Sequence, residues 1–379
     1  MEHGLKTLRR CPIISGSVAI LMITKNHGMA PDIESDPFGE RIATSTRKGL
    51  QLMGGRFDFE SNSPELLRLV DAAYAGLPSH QFSSKSPHFR VRLMLTPSPA
   101  QGAGNRPQRS RLQPPPICMI QGAGFLGSAT ESSTFVVLSP AERTALLSVS
   151  REMLRFKYHV RYELIEFAVF TLASRAQELV PLHAACVGLD GRGILLMGPS
   201  GSGKSTVALQ CLLEGFDFLS EDSVFVAPNS MRATGTANFL HVRADSLRWL
   251  GRSRVRSIIS RSPVIHRRSG VEKFEVDLRR GMFHLAKAPL KIVGVAFLSP
   301  RSGGPGRLLR TLSSSETLAR LKHEQAYGAG LPQWRAFKQN LLRLGGFEVL
   351  RGAHPSASVE ALRSLLVRGG GIKSRRLPR

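Results

Sequence analysis

The amino-acid sequence predicts an α/β fold in two parts, a smaller α+β domain followed by a larger domain in which strands and helices alternate. The chain has 379 residues, which is longer than one domain of the usual size. Segments of strand and helix length alternate after residue 180, as they do in a sheet flanked by helices. Hydrophobic residues make up 42% and charged residues 21% of the chain, which excludes collagen, coiled coil and wholesale disorder.

We predict a leader over residues 1–38. Residues 11–23 are mostly apolar and follow three basic residues, so they imitate a signal peptide, but no small-x-small cleavage site follows them. Two other interpretations explain the pattern better than a signal peptide does. One is a first strand, and the other is a start codon assigned too early, with Met22 or Met29 as the true start.

A small α+β domain is predicted over residues 39–180. It contains an amphipathic helix with Ser63 as the N-cap and Pro64 in the first turn, and then a strand at residues 88–95. Residues 96–116 include six prolines together with many small and polar residues. Because such a segment cannot bury a core, we predict a disordered insertion there.

The second half of this domain is predicted to be helical. Residues 135–138 are apolar and β-rich, and Ser139 and Pro140 then have the character of an N-cap and a first-turn proline. Apolar residues recur at helical spacing from there to about residue 180. These residues are expected to face the core and not a cofactor.

Residues 181–368 have the pattern of a sheet flanked by helices. Predicted strands lie at residues 182–187, 193–197, 216–219, 274–278 and 291–298. Predicted helices lie at residues 205–213, 314–323, 334–344 and 358–366. The tail, residues 369–379, is rich in glycine and arginine, and we predict that it is disordered.

The strongest local signal lies in the loop of residues 198–205. It matches the pattern G-x-x-x-x-G-K-[ST] at every fixed position, after an apolar strand and before a helix. Glycines let successive backbone N–H groups point at phosphate oxygens, and the helix N-terminus adds its positive dipole. Lys204 would neutralise the β and γ phosphates, and Ser205 would hold Mg²⁺. The predicted nucleotide-binding residues are Gly198, Pro199, Ser200, Gly201, Ser202, Gly203, Lys204, Ser205 and Thr206.

An acidic pair follows this loop. Glu221 and Asp222 come after a predicted strand, which would deliver them to the edge where Ser205 lies if it ran beside the strand of the loop. A kinase needs a carboxylate for the metal and one for the acceptor hydroxyl, and the chain is short of acids elsewhere. The predicted strand 291–298 ends without an aspartate, so the acidic pair is the best candidate. Taken by itself, His183 is predicted to be a structural residue.

The net charge of +24 is compatible with a polyanionic partner. However, the basic residues are scattered, and the aromatic-basic interleaving typical of RNA readers does not appear. Nucleic acid is therefore not predicted as a partner. The four cysteines lack zinc spacing and are too few for a disulfide framework, which favours a cytoplasmic location. No apolar run reaches spanning length, so no membrane partner is expected.

Residues 183–185, 198–205 and 219–224 together resemble the catalytic domain of HPr kinase/phosphorylase and its HprK-related serine kinases, over residues 182–227. The resemblance implies a P-loop fold related to phosphoenolpyruvate carboxykinase and ATP-dependent phosphorylation of a serine on a protein or peptide. By position, Lys204 would bind phosphate, Ser205 and Asp222 would hold Mg²⁺, Glu221 would be the general base, and His183 would assist at the transferred phosphate.

Two departures from the family pattern bear on the acceptor. Glu221 stands where the family usually has aspartate, so the base would be one methylene longer. The family's Glu-x-Arg-Gly signature is missing, and residues 271–276 occupy that region, with Lys273 as a candidate phosphate contact. The implied acceptor is an HPr-like carrier or a precursor peptide, and a homo-oligomer is left open.

Other functions remain compatible with the sequence. A regulatory NTP-binding protein would need the loop but no base. An ABC-type ATPase is disfavoured because no Leu-Ser-Gly-Gly-Gln segment occurs. A small-metabolite kinase stays open, although an appended N-terminal domain fits recognition of a macromolecule better.

Overall fold

The computed structural model describes residues 45–82, 86–96, 113–130, 134–280, 283–304 and 308–368. The predicted leader, the predicted tail and most of the proline-rich insertion lie outside these residues. The described part is a mixed α/β structure with three sheets, as the sequence predicted for the fold class. None of its helices is long and apolar enough to cross a membrane.

The N-terminal part is built on a seven-stranded sheet with the order β1-β2-β3-β7-β6-β5-β4. Its strands are β1 (Thr46–Leu52), β2 (Gly55–Ser61), β3 (His88–Thr96), β4 (Cys118–Gly122), β5 (Phe125–Ala129), β6 (Phe135–Ser139) and β7 (Thr144–Ser150). Its helices are α1 (Pro64–Tyr74), α2 (Arg151–Leu154), α3 (Lys157–His159), a π-helix (Val160–Ile165) and α4 (Glu166–Ala176). Apolar side chains from the sheet and these helices share one core.

The prediction of a helix that begins at Ser139 is wrong. Ser139 Oγ does accept a hydrogen bond from the Glu142 backbone N–H at 3.3 Å, as an N-cap would. The turn then ends at Arg143, whose φ of 55° is left-handed, and the chain returns as strand β7. Most side chains of β7 are buried, among them Leu147 and Val149. The helical region begins only at Arg151, with Ser150 as its N-cap.

The second part is built on a nine-stranded sheet. Its central strands follow the order β11-β9-β10-β17-β13-β12-β8, and β19 pairs with β17 and β18. The strands are β8 (Val180–Leu182), β9 (Ala185–Leu189), β10 (Arg192–Met197), β11 (Asp217–Ser220), β12 (Val224–Ala227), β13 (Arg232–Gly235), β17 (Leu290–Ser302), β18 (Leu309–Leu312) and β19 (Gly346–Arg351). The strand predicted at residues 182–187 is thus two strands, which separate at His183 and Ala184.

Helices and a small sheet flank the nine-stranded sheet. The helices are α5 (Lys204–Leu213), α6 (Arg254–Ser260), α7 (Ser314–Glu324), α8 (Trp334–Leu344), α9 (Pro355–Arg368) and two 3₁₀ helices (Ala244–Leu250, Ala326–Gly330). The small sheet has the order β14-β16-β15, with β14 (Phe239–Val242), β15 (Val264–His266) and β16 (Glu272–Asp277). Helix α5 packs against α9 and against β9 and β14.

Strand β11 does not lie beside the strand that leads into the glycine-rich loop, contrary to the sequence-based expectation. Strand β9 lies between β11 and β10 and is antiparallel to both. Strands β11 and β10 therefore run in the same direction, and their carboxyl ends reach the same edge of the sheet. This edge is where the candidate site forms.

Side chains of the second part contact the first part. Arg279 donates to the carbonyl oxygens of Ala72 at 2.8 Å and Ala75 at 3.0 Å, at the end of α1. The Asn238 amide donates to Ala73 O at 2.9 Å. From the first part, buried His80 lies between Thr234 Oγ1 at 2.7 Å and Ala286 O at 2.9 Å.

Candidate functional site

The glycine-rich loop connects the end of β10 to the start of α5. Gly198, Gly201 and Gly203 all have positive φ angles, at 146°, 84° and 99°, which glycine adopts without a Cβ clash. At Gly198 an added Cβ would lie 2.8 Å from Ser202 Oγ and 2.9 Å from Leu298 O. The three glycines therefore permit this conformation of the loop, and a larger residue at position 198 would disturb it.

Lys204 folds back onto its own loop. Its Nζ donates to Gly198 O at 2.5 Å and lies 3.5 Å from Pro199 O. Burial lowers the pKa of the ammonium, against the influence of Asp222, Glu324 and Glu221. Ser202 Oγ is buried and has no hydrogen-bond partner among the described residues. The loop therefore presents a cation, an unpaired hydroxyl and a helix N-terminus, which together suit an anion.

Ser205 and Glu221 meet at the carboxyl edge of the sheet. The Ser205 hydroxyl donates to Glu221 Oε1 at 2.5 Å. Glu221 is only 5% exposed, and its Oε2 accepts the backbone N–H of His241 at 2.7 Å. Lys273 Nζ lies 3.9 Å from Oε1. Both oxygens of this carboxylate are therefore occupied by donors of the protein.

His241 lies between two carboxylates. Its Nδ1 is 2.9 Å from Glu221 Oε2, and its Nε2 is 3.3 Å from Glu275 Oε1. Because each ring nitrogen faces a carboxylate oxygen, the imidazolium, which has a proton on both nitrogens, is the form that suits this position. Burial would lower the pKa of His241, but Glu221 and Glu275 outweigh it and raise this pKa. Burial would likewise raise the pKa of Glu221, but the positive charge of His241 outweighs this effect and lowers the pKa.

The buried charges continue into the π-helix of the N-terminal part. The Arg161 guanidinium forms a two-pronged contact with the Glu275 carboxylate, with Nη1 at 3.2 Å from Oε2. Its Nε lies 3.8 Å from Glu166. Side chains of Arg161 and Glu275 are at most 9% exposed. A continuous line of buried charges thus connects the N-terminal part to the loop serine.

Asp222 has a different environment from its neighbour Glu221. Its side chain is 22% exposed, and its Oδ1 lies 3.1 Å from Nδ1 of His183. Oδ2 lies 3.7 Å from Arg267 Nη2 and 3.5 Å from the Tyr162 hydroxyl. No strong donor holds Oδ2 at close range among these contacts. Asp222 is therefore the acid of the pair that an incoming molecule can approach.

The backbone of His183 is fixed by the side chain of Gln325. The Gln325 amide donates to His183 O at 2.9 Å, and its oxygen accepts the His183 N–H at 2.9 Å. Gln325 is fully buried, whereas the His183 ring is 49% exposed. This arrangement holds the ring at Asp222 while leaving one side of it open.

A cleft of about 330 Å³ joins these groups, a size that accommodates a nucleotide. Its lining includes the loop, both acids and the side chains of His183, Arg267 and Lys273. The Nε and Nη2 atoms of Arg267 are buried without a hydrogen-bond partner among the described residues. Because buried donors are normally paired, Arg267 is a further candidate for an anion contact.

Among the described residues, no three His, Cys, Asp or Glu side chains come together as a ready-made metal site. Mg²⁺ does not require one, since it commonly takes one or two protein oxygens together with substrate phosphates and water. Ser205 Oγ and Glu221 Oε1, 2.5 Å apart, would fit that requirement with the ion in place of the hydrogen bond between them, and Asp222 follows Glu221 in sequence.

The structure brings the predicted residues of the loop, the acidic pair and His183 to one cleft. Sequence reasoning missed five residues. Arg267 lines the cleft, whereas His241, Glu275, Arg161 and Gln325 hold the residues of the cleft or one another through hydrogen bonds. Arg267 lies just before the segment 271–276, and Glu275 lies within it, where only Lys273 had been considered. The other three belong to no motif, because their positions depend on the small sheet, the π-helix and the turn after α7.

Comparison with known proteins gives limited matches. No protein-family model matches the chain. A 72-residue segment is 35% identical to HPr kinase/phosphorylase of Mycoplasmopsis pulmonis, and it covers 19% of this chain and 23% of that protein. The resemblance predicted from the sequence is thereby confirmed over a part of the chain.

A similarity to a solved structure is weak. The Hpr(Ser) kinase/phosphatase from Coxiella burnetii is 15% identical, with a TM-score of 0.25, over 50% of this chain and 99% of that chain. At these values the likeness supports no inference on fold or function.

Proposed function

We propose that this chain is an ATP-dependent kinase that transfers the γ-phosphoryl group to a serine hydroxyl of a protein or peptide. The observation that carries the proposal is the bond between Ser205 and Glu221, beside the more accessible Asp222. The glycine-rich loop would then cradle the phosphates while two acids stand at their reacting end. The partial similarity to HPr kinase/phosphorylase supports the same class of reaction.

We assign Glu221 to the metal and Asp222 to the acceptor, which reverses the roles that the family resemblance implied. Glu221 is buried, and the donors around it lower its pKa, so it is a weak base that an acceptor hydroxyl cannot easily reach. Asp222 is open to the cleft and contacts His183. A general base must come within hydrogen-bond reach of the proton that it takes, and Asp222 meets this condition better.

In this scheme Asp222 accepts the proton of the serine hydroxyl as the serine oxygen bonds to the γ-phosphorus and the bond to the ADP oxygen breaks. Lys204 leaves Gly198 O and turns to the phosphates, and Arg267 donates its unpaired N–H groups to the transferred phosphoryl group. His183 holds Asp222 in position. When bound, Mg²⁺ would neutralise negative charge on the phosphates, and Ser205 and Glu221 are the residues that would hold it.

We further propose that residues 181–368 form a kinase domain of the HPr kinase and phosphoenolpyruvate carboxykinase type. Residues 39–180 would then form a domain that recognises the acceptor, an HPr-like carrier or a precursor peptide. We place this activity in the cytoplasm.

The test is transfer of label from γ-labelled ATP, with Mg²⁺, to an HPr-like carrier and to peptides encoded near the gene. Wild type should label a serine, and Asp222→Asn should reduce the rate by a factor of about 10² to 10⁴ while nucleotide binding persists. Glu221→Gln should mainly weaken Mg²⁺-dependent binding of the nucleotide. Asp190→Asn, a change in the turn between β9 and β10, is the matched control.

A different result would remove the proposal. If ATP is hydrolysed at the same rate with and without any acceptor, and if Asp222→Asn does not change that rate, the chain is a regulatory NTP-binding protein without phosphotransfer.

A further inference from the structure

The cleft extends well beyond the groups that handle the phosphates. In addition to the loop and the acids, it is lined by Arg248 and Trp249 of the 3₁₀ helix Ala244–Leu250. It is also lined by Arg351 at the end of β19, by Gly352 and by Pro355 at the start of α9. None of these side chains has a role in the transfer step described above. Their chemistry is that of an aromatic surface with basic neighbours.

The 3₁₀ helix Ala244–Leu250 is tied to the helix that follows the loop. In loops of this pattern the lysine reaches the β and γ phosphates, and backbone N–H groups cradle the α and β phosphates. The side chain of Thr206, the residue after the metal-binding serine, bonds to Ser246 Oγ at 3.0 Å. This bond ties the 3₁₀ helix that carries Trp249 to the first turn of α5. A group attached to phosphates in the loop would therefore have this helix as a wall of the same cleft.

Trp249 offers the aromatic surface at this end. The residue is half-buried, and its ring meets the ring of His354 edge-on, with the centroids 5.2 Å apart. The exposed guanidinium of Arg248 lies over the indole ring, 4.7 Å from its centroid. A ring that is contacted on one side by a neighbour and covered by a solvent-exposed arginine can accept a flat aromatic group in place of that arginine.

We propose that this end of the cleft is a nucleoside subsite in which the nucleobase stacks on Trp249 and Arg248 turns toward the α phosphate. The inference rests on the proposed function, which requires a nucleotide in the same cleft. It goes further by assigning the residues that hold the base, so that a nucleoside triphosphate binds more tightly than inorganic polyphosphate of the same length. Stacking of a base on an aromatic side chain corresponds to about 10- to 100-fold in affinity.

Equilibrium binding of ATP and of inorganic tripolyphosphate, each with Mg²⁺, tests the subsite on the full chain. Trp249→Ala should weaken ATP binding about 10- to 100-fold and leave tripolyphosphate binding unchanged. Trp249→Phe keeps an aromatic face and should restore most of the ATP affinity. Calorimetry measures both ligands without depending on the tryptophan signal.

Fluorescence gives an independent reading because the chain has two tryptophans. Trp334 is 6% exposed within the core, so ATP should alter the emission of Trp249 and tripolyphosphate should not. The change should vanish in Trp249→Phe.

The subsite is overturned if Trp249→Ala binds ATP as wild type does, or if it loses ATP and tripolyphosphate to the same extent. Either result leaves the proposed kinase function standing. If the wild-type chain binds neither ligand, the proposed function fails as well, and the two failures are thus distinguished.

Discussion

Glu221 is the residue on which the geometry of the site depends most. It connects the loop serine to His241, and His241 connects it to Glu275. Isolated buried carboxylates are costly, and this one is retained because a buried cation and several N–H and O–H donors surround it. The carboxylate is thereby kept ionised and aimed at Ser205, where a metal ligand is needed.

Replacing His241 by glutamine should disrupt the site without touching the loop. The change removes the positive charge between Glu221 and Glu275 and leaves two buried carboxylates without it. We expect the affinity for Mg²⁺-ATP to fall at least about tenfold and the free energy of unfolding to fall by about 3 kcal/mol. Calorimetric titration and chemical denaturation measure the two effects.

His323→Gln is the matched control, because the side chain of His323 is 81% exposed and its partner Glu324 is next to it in sequence. If His241→Gln behaves like this control in both measurements, the imidazolium between the acids does not organise the site.

The sequence revealed the residues with a local pattern and not those with only a spatial one. The loop residues and the acidic pair were predicted because their chemistry depends on short spacings. His241 and Arg161 were not, since each reaches the site through a contact between residues at least 20 positions apart. The family resemblance assigned the base to Glu221 and the metal to Asp222, and only the difference in exposure between the two acids leads us to propose the reverse.

At the scale of elements, the edge of the large sheet is held by one buried carboxylate. Glu348 on β19 is 1% exposed and accepts from Arg301 on β17 at 2.6 Å, Arg310 on β18 at 2.8 Å and Arg320 on α7 at 2.8 Å. These bonds join three strands and a helix beside the loop that follows β10. Each arginine is partly exposed, which limits what any single pair contributes.

The cluster predicts a specific dependence of stability on pH. Burial would raise the pKa of Glu348, but hydrogen bonds from Arg320, Arg301 and Arg310 lower it to about 2. A carboxyl with a lowered pKa in the folded state stabilises the fold above its unfolded pKa, and this stabilisation is lost as the pH falls toward the folded value. Glu348→Gln should therefore lower the free energy of unfolding by about 2 to 3 kcal/mol at pH 7. This difference from wild type should shrink below about pH 4.5.

Urea denaturation between pH 2.5 and 7 measures this difference. Glu360→Gln is the control, since the Glu360 side chain is 74% exposed and pairs only loosely with Arg363 at 3.6 Å. A Glu348→Gln variant whose deficit stays constant from pH 7 to pH 3 would contradict the assignment.

Strands and helices with a clear period were predicted from the sequence, and those set by a turn were not. Strand β3, β10 and helices α5, α7 and α8 were found close to the predicted bounds. The predicted helix after Ser139 failed because an N-cap hydrogen bond also forms in a tight turn, and the left-handed Arg143 then decides the outcome. The order of β11, β9 and β10 depends on pairing that no local pattern records.

At the scale of the whole molecule, the two parts are joined by hydrogen bonds to the end of α1. The last carbonyl groups of a helix lack partners within it, and Arg279 donates to those of Ala72 and Ala75. Asp277 fixes the guanidinium, with Oδ1 at 2.7 Å from Nε. Arg279 and Arg161 together couple the N-terminal part to the region that carries the acids.

Arg279→Met should loosen that connection. It removes the donors at the end of α1, and we expect the free energy of unfolding to fall by about 2 kcal/mol. Hydrogen exchange should quicken in the last turn of α1. The adjacent Arg280→Met is a close control, since the Arg280 side chain is 87% exposed. Equal behaviour of the two variants would show that Arg279 does not join the parts.

The central claim is that the loop of residues 198–205 binds a nucleotide, and direct titration of the full chain with Mg²⁺-ATP tests it most simply. We predict binding at one site per chain, loss of that binding in Lys204→Ala, and wild-type affinity in Lys322→Ala, a change at an exposed lysine of α7. Absence of binding to the wild-type chain, or equal binding by wild type and Lys204→Ala, would contradict the claim.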